Sequence, residues 1–129
     1  MYEKEIKLAK KARLNAYCPY SKFQVGAALK CKNGKIYTGC NIENNGIQSI
    51  CAERVAFSKA LSDGIRDFVS ITVVGGPKDK EPIEECMPCG YCRQFISEFT
   101  DENFKIITLN NNYIKEYAIK DILPYSFKL

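Results

Sequence analysis

The sequence predicts an α/β fold, a three-layer αβα sandwich around a five-stranded mixed sheet. Helical and strand-like hydrophobic spacing alternates along the 129 residues, as expected for a sheet covered by helices. Short turns join strands one and two and strands four and five, so these pairs should be antiparallel. A helix separates strands two and three and strands three and four, which favours parallel or crossover geometry. The length suits a single domain over residues 1–129.

The period of the apolar residues gives the bounds of each element. A first helix is expected over residues 2–16, where a stripe of mostly small residues indicates close packing. Two further helices are expected over Cys51–Leu61 and Cys89–Phe99. The strands are expected at Phe23–Lys32, Lys35–Asn41, Phe68–Val74, Phe104–Leu109 and Tyr113–Tyr117.

Two segments that contain glycine are interpreted as turns. Asn33-Gly34 predicts a type I′ hairpin turn, because both residue types tolerate a positive φ. Gly75-Gly76-Pro77 matches neither a Walker loop nor a dinucleotide-binding pattern, and we interpret it as a loop break.

Composition and charge argue against several classes of protein. Hydrophobic residues make up 46% of the chain and charged residues 26%, as in ordinary globular proteins. No apolar run approaches ~18 residues and no apolar signal segment is present at the N-terminus, so we expect a cytoplasmic protein with no membrane contact. The net charge of +4 lies mostly in the first helix, and we interpret it as a solvated helix face.

The cysteine and histidine counts restrict the chemistry. Seven cysteines form an odd set, which in a reducing compartment indicates thiols, metal ligands or nucleophiles. Histidine is absent, so histidine-based triads, metal ligands and general bases are excluded. Acid–base chemistry must therefore use Glu, Asp, Lys, Tyr or Cys.

Three cysteines are candidate zinc ligands. Cys89 and Cys92 have i, i+3 spacing at the start of a predicted helix, so they project to the same side. Cys51, at the start of another helix, supplies a third thiolate. Three protein ligands leave the fourth position of zinc open for water, which is typical of a catalytic site holding one Zn²⁺ per chain.

Two residues beside Cys51 complete this predicted site. Three thiolates on Zn²⁺ leave a net negative charge, which the positive ends of two helices offset in part. Arg54 is at i+3 from Cys51 and is expected to withdraw charge from its sulfur, although a surface salt bridge is an open alternative. Glu53 is the natural proton shuttle in a chain without histidine, and its alternative is a helix-capping carboxylate.

A closed four-sulfur site uses the same cysteines in another way. Cys86 precedes Cys89 by three residues, and its inclusion with Cys51 and Cys92 would give a structural zinc site. Pro88 suits the edge of the helix and leaves Cys86 in the loop. We therefore favour the three-cysteine site.

The chain resembles the cytidine deaminase family, in its small homotetrameric type with three cysteine ligands. The resemblance rests on the motifs C-A-E-R at residues 51–54 and P-C-x-x-C at 88–92. The segments at 16–29, 41–44 and 122–127 extend it over nearly the whole chain. It implies a cytidine deaminase-like fold and hydrolysis of cytidine and deoxycytidine to uridine and deoxyuridine with release of ammonia, as in pyrimidine salvage. Zinc would activate the water and Glu53 would carry the proton.

The resemblance also implies substrate contacts. Phe23 would line the pyrimidine pocket, Ala52 would contact the substrate, and Asn41 and Glu43 would bind the ribose 3′-hydroxyl. Phe127 would stack on the base in a neighbouring subunit of a homotetramer with shared active sites, or else would only pack at an interface. The loop at 45–50 is shorter than is usual in the family and lacks an aromatic residue, which affects the expected contacts to the 5′ side of the ribose.

Three other functions remain open on the sequence. A deaminase of a related aminopyrimidine nucleoside, such as blasticidin S, is disfavoured by the retained Asn41 and Glu43. A deaminase that edits nucleic acid needs a basic groove, and the acidic segment Glu81–Glu85 argues against one. A structural zinc module without activity is disfavoured by Glu53 and by the open coordination position.

Overall fold

The computed structural model describes residues 1–129 and contains four helices and five strands. In chain order they are α1 (Glu3–Arg13), β1 (Phe23–Cys31), β2 (Ile36–Cys40), α2 (Ala52–Ser62), β3 (Phe68–Pro77), α3 (Gly90–Phe99), β4 (Lys105–Asn110), β5 (Tyr113–Ala118) and α4 (Ile119–Ile122). None of the helices combines the length and apolar character that a membrane crossing requires. The predicted α/β fold with a five-stranded mixed sheet is confirmed.

The strands form one sheet in the order β2-β1-β3-β4-β5. β1 pairs antiparallel with both β2 and β3. β3 pairs parallel with β4, and β4 pairs antiparallel with β5. β2 and β3 thus run in the same direction without touching, because the connection through α2 crosses over β1. This crossover carries the start of α2 to the same end of the sheet as the start of α3.

Helices cover both faces of the sheet. Ala9 of α1 packs with Ala28 and Val74 on one face. On the other face, Ala27 and Leu29 pack in a larger core with α2 and α3. At its centre is Phe57 of α2, fully buried, which packs against the rings of Phe68, Phe95, Phe99 and Phe104 at centroid distances of 5.0 to 6.2 Å.

Two glycines allow helices to lie directly on strands. A Cβ on Gly26 of β1 would be 1.9 Å from the carbonyl oxygen of Ala9. A Cβ on Gly39 of β2 would be 2.5 Å from the carbonyl oxygen of Ala52. Any side chain at these positions would push a helix away from the sheet. Gly39 therefore fixes the first turn of α2, which carries the C-A-E-R motif, against the sheet.

The structure corrects the bounds of two elements. α1 ends at Arg13 rather than residue 16, because the backbone N–H of Tyr17 donates to Asn41 and the chain pairs there beside Ile42. β3 continues through Gly75-Gly76-Pro77, so the interpretation of a loop break was wrong. These residues pair with Val25, Gln24 and Phe23 of β1.

The hairpin turn at Asn33-Gly34 also differs from the prediction. Gly34 has a φ of +91° but Asn33 has no positive φ, so the turn is not type I′. Instead the Asn33 side chain accepts a hydrogen bond from the N–H of Lys35 at 2.9 Å. Both central residues of the later turn, Asn111 and Asn112, do have positive φ, at 51° and 66°. That pattern is the one a two-residue type I′ hairpin requires.

Candidate active site

Two helix N-termini bring three thiols together. Cys51 is the N-cap of α2 and Cys89 is the N-cap of α3. Cys92 lies one turn further along α3 and is fully buried. The three Sγ atoms all lie within 4.8 Å of one another, and those of Cys51 and Cys89 are 3.8 Å apart.

The spacing of Cys51 and Cys89 in this cluster matches that of two ligands in a tetrahedral zinc site. Zinc–sulfur bonds of about 2.3 Å in tetrahedral geometry place two sulfurs about 3.8 Å apart, and Cys51 and Cys89 have that separation. Cys86 does not belong to the cluster, so the structure provides three sulfur ligands and not four. The donor set therefore fits a zinc ion with one position left for a non-protein ligand.

The surroundings of Cys51 favour a thiolate. The adjacent Cys92 thiol and the nearby Arg54 guanidinium lower the pKa of the Cys51 thiol, and the closeness of Cys51 raises the pKa of Cys92. The two sulfurs thus compete for one proton when only the protein is considered. A metal cation ends this competition because it binds both as thiolates.

Arg54 joins the two helices at the thiol cluster. Its guanidinium lies 3.8 Å from the Cys51 sulfur and 3.4 Å from the Ser49 carbonyl oxygen. It also stacks on the ring of Tyr91 in α3, 4.3 Å from the ring centre. The sequence predicted that Arg54 lies at the Cys51 sulfur but did not predict its contact with Tyr91. The position of Tyr91 between the two ligand cysteines of α3 could have indicated this contact.

Glu53 is a buried carboxyl group at the same helix start. Only 3% of the residue is exposed. Burial raises the pKa of the Glu53 carboxyl group to about 7, and the negative charge of Cys51 acts in the same direction. Near neutral pH both the acid and the base forms of Glu53 are accessible, as a group that accepts and then donates a proton requires.

Glu53 and two of the thiols open into one cavity of about 210 Å³. Ala52, fully buried, contributes to its wall. Sequence reasoning missed three other lining residues, because they come from β1 and from the loop before α3. The complete lining is Val25, Asn41, Cys51, Ala52, Glu53, Cys86, Met87 and Cys89.

Asn41 and Glu43 have different hydrogen-bond partners in the structure. Asn41 lines the cavity, and its amide accepts from Val25 N and donates to Phe23 O, each at 2.9 Å. Glu43 is outside the lining. Its carboxylate accepts hydrogen bonds from the backbone N–H groups of Tyr20 and Ser21 and from the Ser21 hydroxyl, and the last of these lowers the pKa of Glu43.

The two aromatic residues expected at the base lie outside the lining of this cavity. Phe23 is 39% exposed and borders a neighbouring cavity of about 350 Å³ beside Gly75. Phe127 is 64% exposed on the C-terminal tail. The next residue, Lys128, donates a hydrogen bond to the Ser97 carbonyl in the second half of α3. One chain therefore brings together the metal ligands and Glu53, but not Phe127.

A mixed sheet covered by helices, with a three-thiol metal site beside a buried glutamate, is the arrangement of a zinc-dependent hydrolytic deaminase. Residues 1–108 match the family model for the cytidine and deoxycytidylate deaminase zinc-binding region. The chain belongs to this family. It is 46% identical over 127 residues to a cytidine deaminase of Sporosarcina psychrophila, covering 97% of this chain and 90% of that protein.

Two further relatives bear on substrate and fold. A blasticidin-S deaminase of Bacillus cereus is 34% identical over 111 residues, which is 83% of this chain and 79% of that protein. The crystal structure of a cytidine deaminase from Burkholderia pseudomallei superposes with a TM-score of 0.89 at 38% identity, covering 98% of this chain and 99% of that chain.

Proposed function

We propose that the protein hydrolyses free cytidine and deoxycytidine to uridine and deoxyuridine, releasing ammonia. The observation that carries this proposal is the three-thiol cluster of Cys51, Cys89 and Cys92, two of whose thiols share a cavity with a buried carboxyl group with a pKa of about 7, in a chain of the deaminase family. The catalytic unit is a single domain over residues 1–129.

The zinc ligands are Cys51, Cys89 and Cys92, with one Zn²⁺ per chain. Bound zinc supplies a Lewis acid that lowers the pKa of a water molecule enough for attack at neutral pH. Arg54 lies against the Cys51 sulfur and, with the two helix N-termini, offsets the charge of three thiolates. The need for reduced ligands, and the seven unpaired cysteines, support a reducing compartment, the cytoplasm.

Glu53 is the catalytic acid and base. In its ionised form it accepts a proton from the attacking water and delivers it to N3 of cytosine. The water oxygen bonds to C4, and Glu53 then carries the second proton of that oxygen to the exocyclic amine. The C4–N bond breaks to release ammonia, and the oxygen left on C4 becomes the carbonyl of uracil. Burial keeps the pKa of Glu53 near 7. At neutral pH the side chain can therefore both accept and release a proton without a large energetic cost.

The nucleoside contacts involve Phe23, Asn41, Glu43 and Ala52. Asn41 already uses its carbonyl oxygen and one amide hydrogen within the chain, which leaves a second amide hydrogen for the ribose 3′-hydroxyl. Glu43 accepts three hydrogen bonds and retains acceptor capacity for that hydroxyl. A carboxylate there repels a 3′-phosphate, so the substrate is a free nucleoside and not a nucleic acid.

The active form is a homotetramer with shared active sites. Phe127 is mostly exposed and Tyr125 fully so, although such large aromatic side chains are costly to leave in water. Both belong to a tail that leaves its own chain's cavity uncovered. A neighbouring subunit that inserts its tail would supply Phe127 as a stacking surface for the base.

A related aminopyrimidine nucleoside is the second candidate substrate. The observation that favours it is the 34% identity to a blasticidin-S deaminase. Asn41 and Glu43 together suit a ribose hydroxyl and favour cytidine, so we place cytidine first.

The test compares kcat/KM for cytidine, deoxycytidine, 3′-deoxycytidine, cytosine, blasticidin S and a short cytosine-containing oligonucleotide, with metal analysis of the same sample. Cytidine and deoxycytidine should be the best substrates, and removal of the 3′-hydroxyl should cost roughly 1–3 kcal/mol. A preference for cytosine or the oligonucleotide would overturn the nucleoside assignment. A preference for blasticidin S would establish the second candidate instead.

A further inference from the structure

Arg13 is a buried cation with no carboxylate partner. It is the last residue of α1 and is only 4% exposed. The chain's two ion pairs, Met1 with Glu3 and Lys10 with Glu81, do not include it. A buried guanidinium without a counterion needs other compensation for its lost hydration.

Four backbone carbonyl oxygens provide this compensation. Arg13 Nε donates to Gln24 O at 3.1 Å and Nη1 donates to Lys80 O at 2.9 Å. Nη2 donates to Gly76 O at 2.9 Å and to Pro77 O at 3.1 Å. One side chain thus joins three segments: the start of β1, the end of β3 and the loop that follows β3.

These three segments border the two cavities described above, the thiol cavity and the cavity beside Phe23. Gln24 lies between Phe23 and Val25, and Val25 lines the thiol cavity. Phe23, Gly76, Pro77 and Lys80 border the adjoining cavity. Asn41 holds Phe23 and Val25 through their own backbone groups, so the start of β1 is fixed by two side chains, one from α1 and one from the segment after β2.

The end of β3 also packs against residues that line both cavities. A Cβ on Gly75 would lie 2.7 Å from the Cys86 sulfur and 3.1 Å from the Phe23 ring. A shift of this strand end would therefore move Phe23 and Cys86, which line the two cavities. Arg13 binds the carbonyl of the next residue, Gly76, from the opposite side of the sheet.

We infer that Arg13 is a positioning residue that holds the wall of the pyrimidine nucleoside pocket in its binding geometry. The inference rests on the proposed function. Arg13 does not touch the thiols or Glu53, so its loss should weaken substrate binding more than it slows the chemical step. A purely structural arginine would lower thermal stability and leave the KM of the folded enzyme unchanged.

The experiment uses the zinc-loaded protein and the variants Arg13→Met and Arg13→Lys, with Lys10→Met as a matched control. Lys10 is on the same helix and contacts the same loop through Glu81, but at the surface. For Arg13→Met we expect the KM for cytidine to rise about tenfold or more, with a smaller change in kcat and unchanged zinc content. Lys10→Met should keep the KM of the unmodified protein.

Arg13→Lys retains the charge but lacks the planar fork that reaches four carbonyls. Its KM should lie between those of the unmodified protein and Arg13→Met. In Arg13→Ala, added guanidinium at millimolar concentration should lower the KM by refilling the carbonyl cluster.

A KM equal to that of the unmodified protein in Arg13→Met would overturn the inference, whatever its melting temperature. If Arg13→Met does not fold, Arg13→Lys decides, and an unchanged KM there has the same meaning. Failure of the proposed function is a separate result, because the unmodified zinc-loaded protein would then not deaminate cytidine at all.

Discussion

Glu53 and Glu43 are two glutamates of the proposed site with opposite environments. Glu53 is buried at the start of α2, and burial raises its pKa to about 7. Glu43 is partly exposed in the segment after β2, where the Ser21 hydroxyl and two backbone N–H groups hold its pKa below the ordinary value. The two glutamate side chains are therefore suited to different tasks. Glu53 can transfer protons near neutral pH, whereas Glu43 stays negatively charged.

This difference indicates a division of labour within the site. Carboxyl groups whose environments move their pKa values apart commonly have different roles in one reaction. A proton shuttle needs both protonation states near neutral pH, whereas a hydroxyl-binding group needs only the acceptor. We therefore expect substitutions of Glu53 to affect kcat and substitutions of the neighbouring metal ligands to affect metal content as well. Substitutions of Glu43 should affect KM.

The largest effect is expected at the metal ligands next to Glu53. Cys89→Ala should lose both zinc and activity, because two thiolates do not hold the ion that three hold. Cys86→Ala is the matched control in the same loop, and it should keep zinc and most of the activity. Metal analysis and turnover on both variants check this. Loss of zinc in Cys86→Ala would favour a closed four-sulfur site.

The next largest effect is expected for Glu53→Gln. The amide has the size of the carboxyl group but does not accept a proton from water, so kcat should fall by at least ~10²-fold. Zinc content should not change, because Glu53 is not a ligand. Steady-state turnover with metal analysis makes the measurement. Near-normal turnover would remove Glu53 from the mechanism.

Deletion of residues 125–129 extends the comparison to the C-terminal tail. If Phe127 serves a neighbouring subunit's site, the deletion should raise KM about tenfold or more, beyond any loss of folded protein. Turnover normalised to folded protein, together with light scattering, checks this. A fully active monomer would refute the shared sites.

The smallest effect is expected for Glu43→Gln, which makes the same chemical change as Glu53→Gln. KM for cytidine should rise by about tenfold or less, because hydrogen bonds weaken but acceptors remain. The kcat should change little. A fall in kcat comparable with that of Glu53→Gln would contradict the division of labour between the two glutamates.

The sequence predicted the proposed catalytic centre better than its pocket. The spacing of Cys89 and Cys92 on one helix turn is a local property, and so is the neighbourhood of Cys51, Glu53 and Arg54. The tertiary contacts of the pocket have no such local signal. Cys86 and Met87 line the cavity because the loop before α3 packs against the end of β3. Arg13 binds Gly76, which is 63 residues away in the sequence.

The turns show the same limit at the level of the backbone. Asn33-Gly34 has the composition of a type I′ turn, but the Asn33 side chain binds the backbone two residues on and a different turn results. Gly75-Gly76-Pro77 has the composition of a loop, but it extends β3, because glycine leaves room for Cys86 and Phe23 against the strand. In both cases a contact outside the local pattern decided the conformation.

The sequence by itself determined the fold class, the two cysteine-bearing helix starts and the residues available for acid–base chemistry. These follow from hydrophobic period, residue spacing and the absence of histidine, which need no knowledge of distant contacts. Only the tertiary structure decided that Glu53 is buried, that Glu43 is outside the cavity and that Arg13 joins three segments. Burial and hydrogen bonding between remote segments depend on how the helices pack on the sheet, and this packing sets the pKa of each carboxyl group.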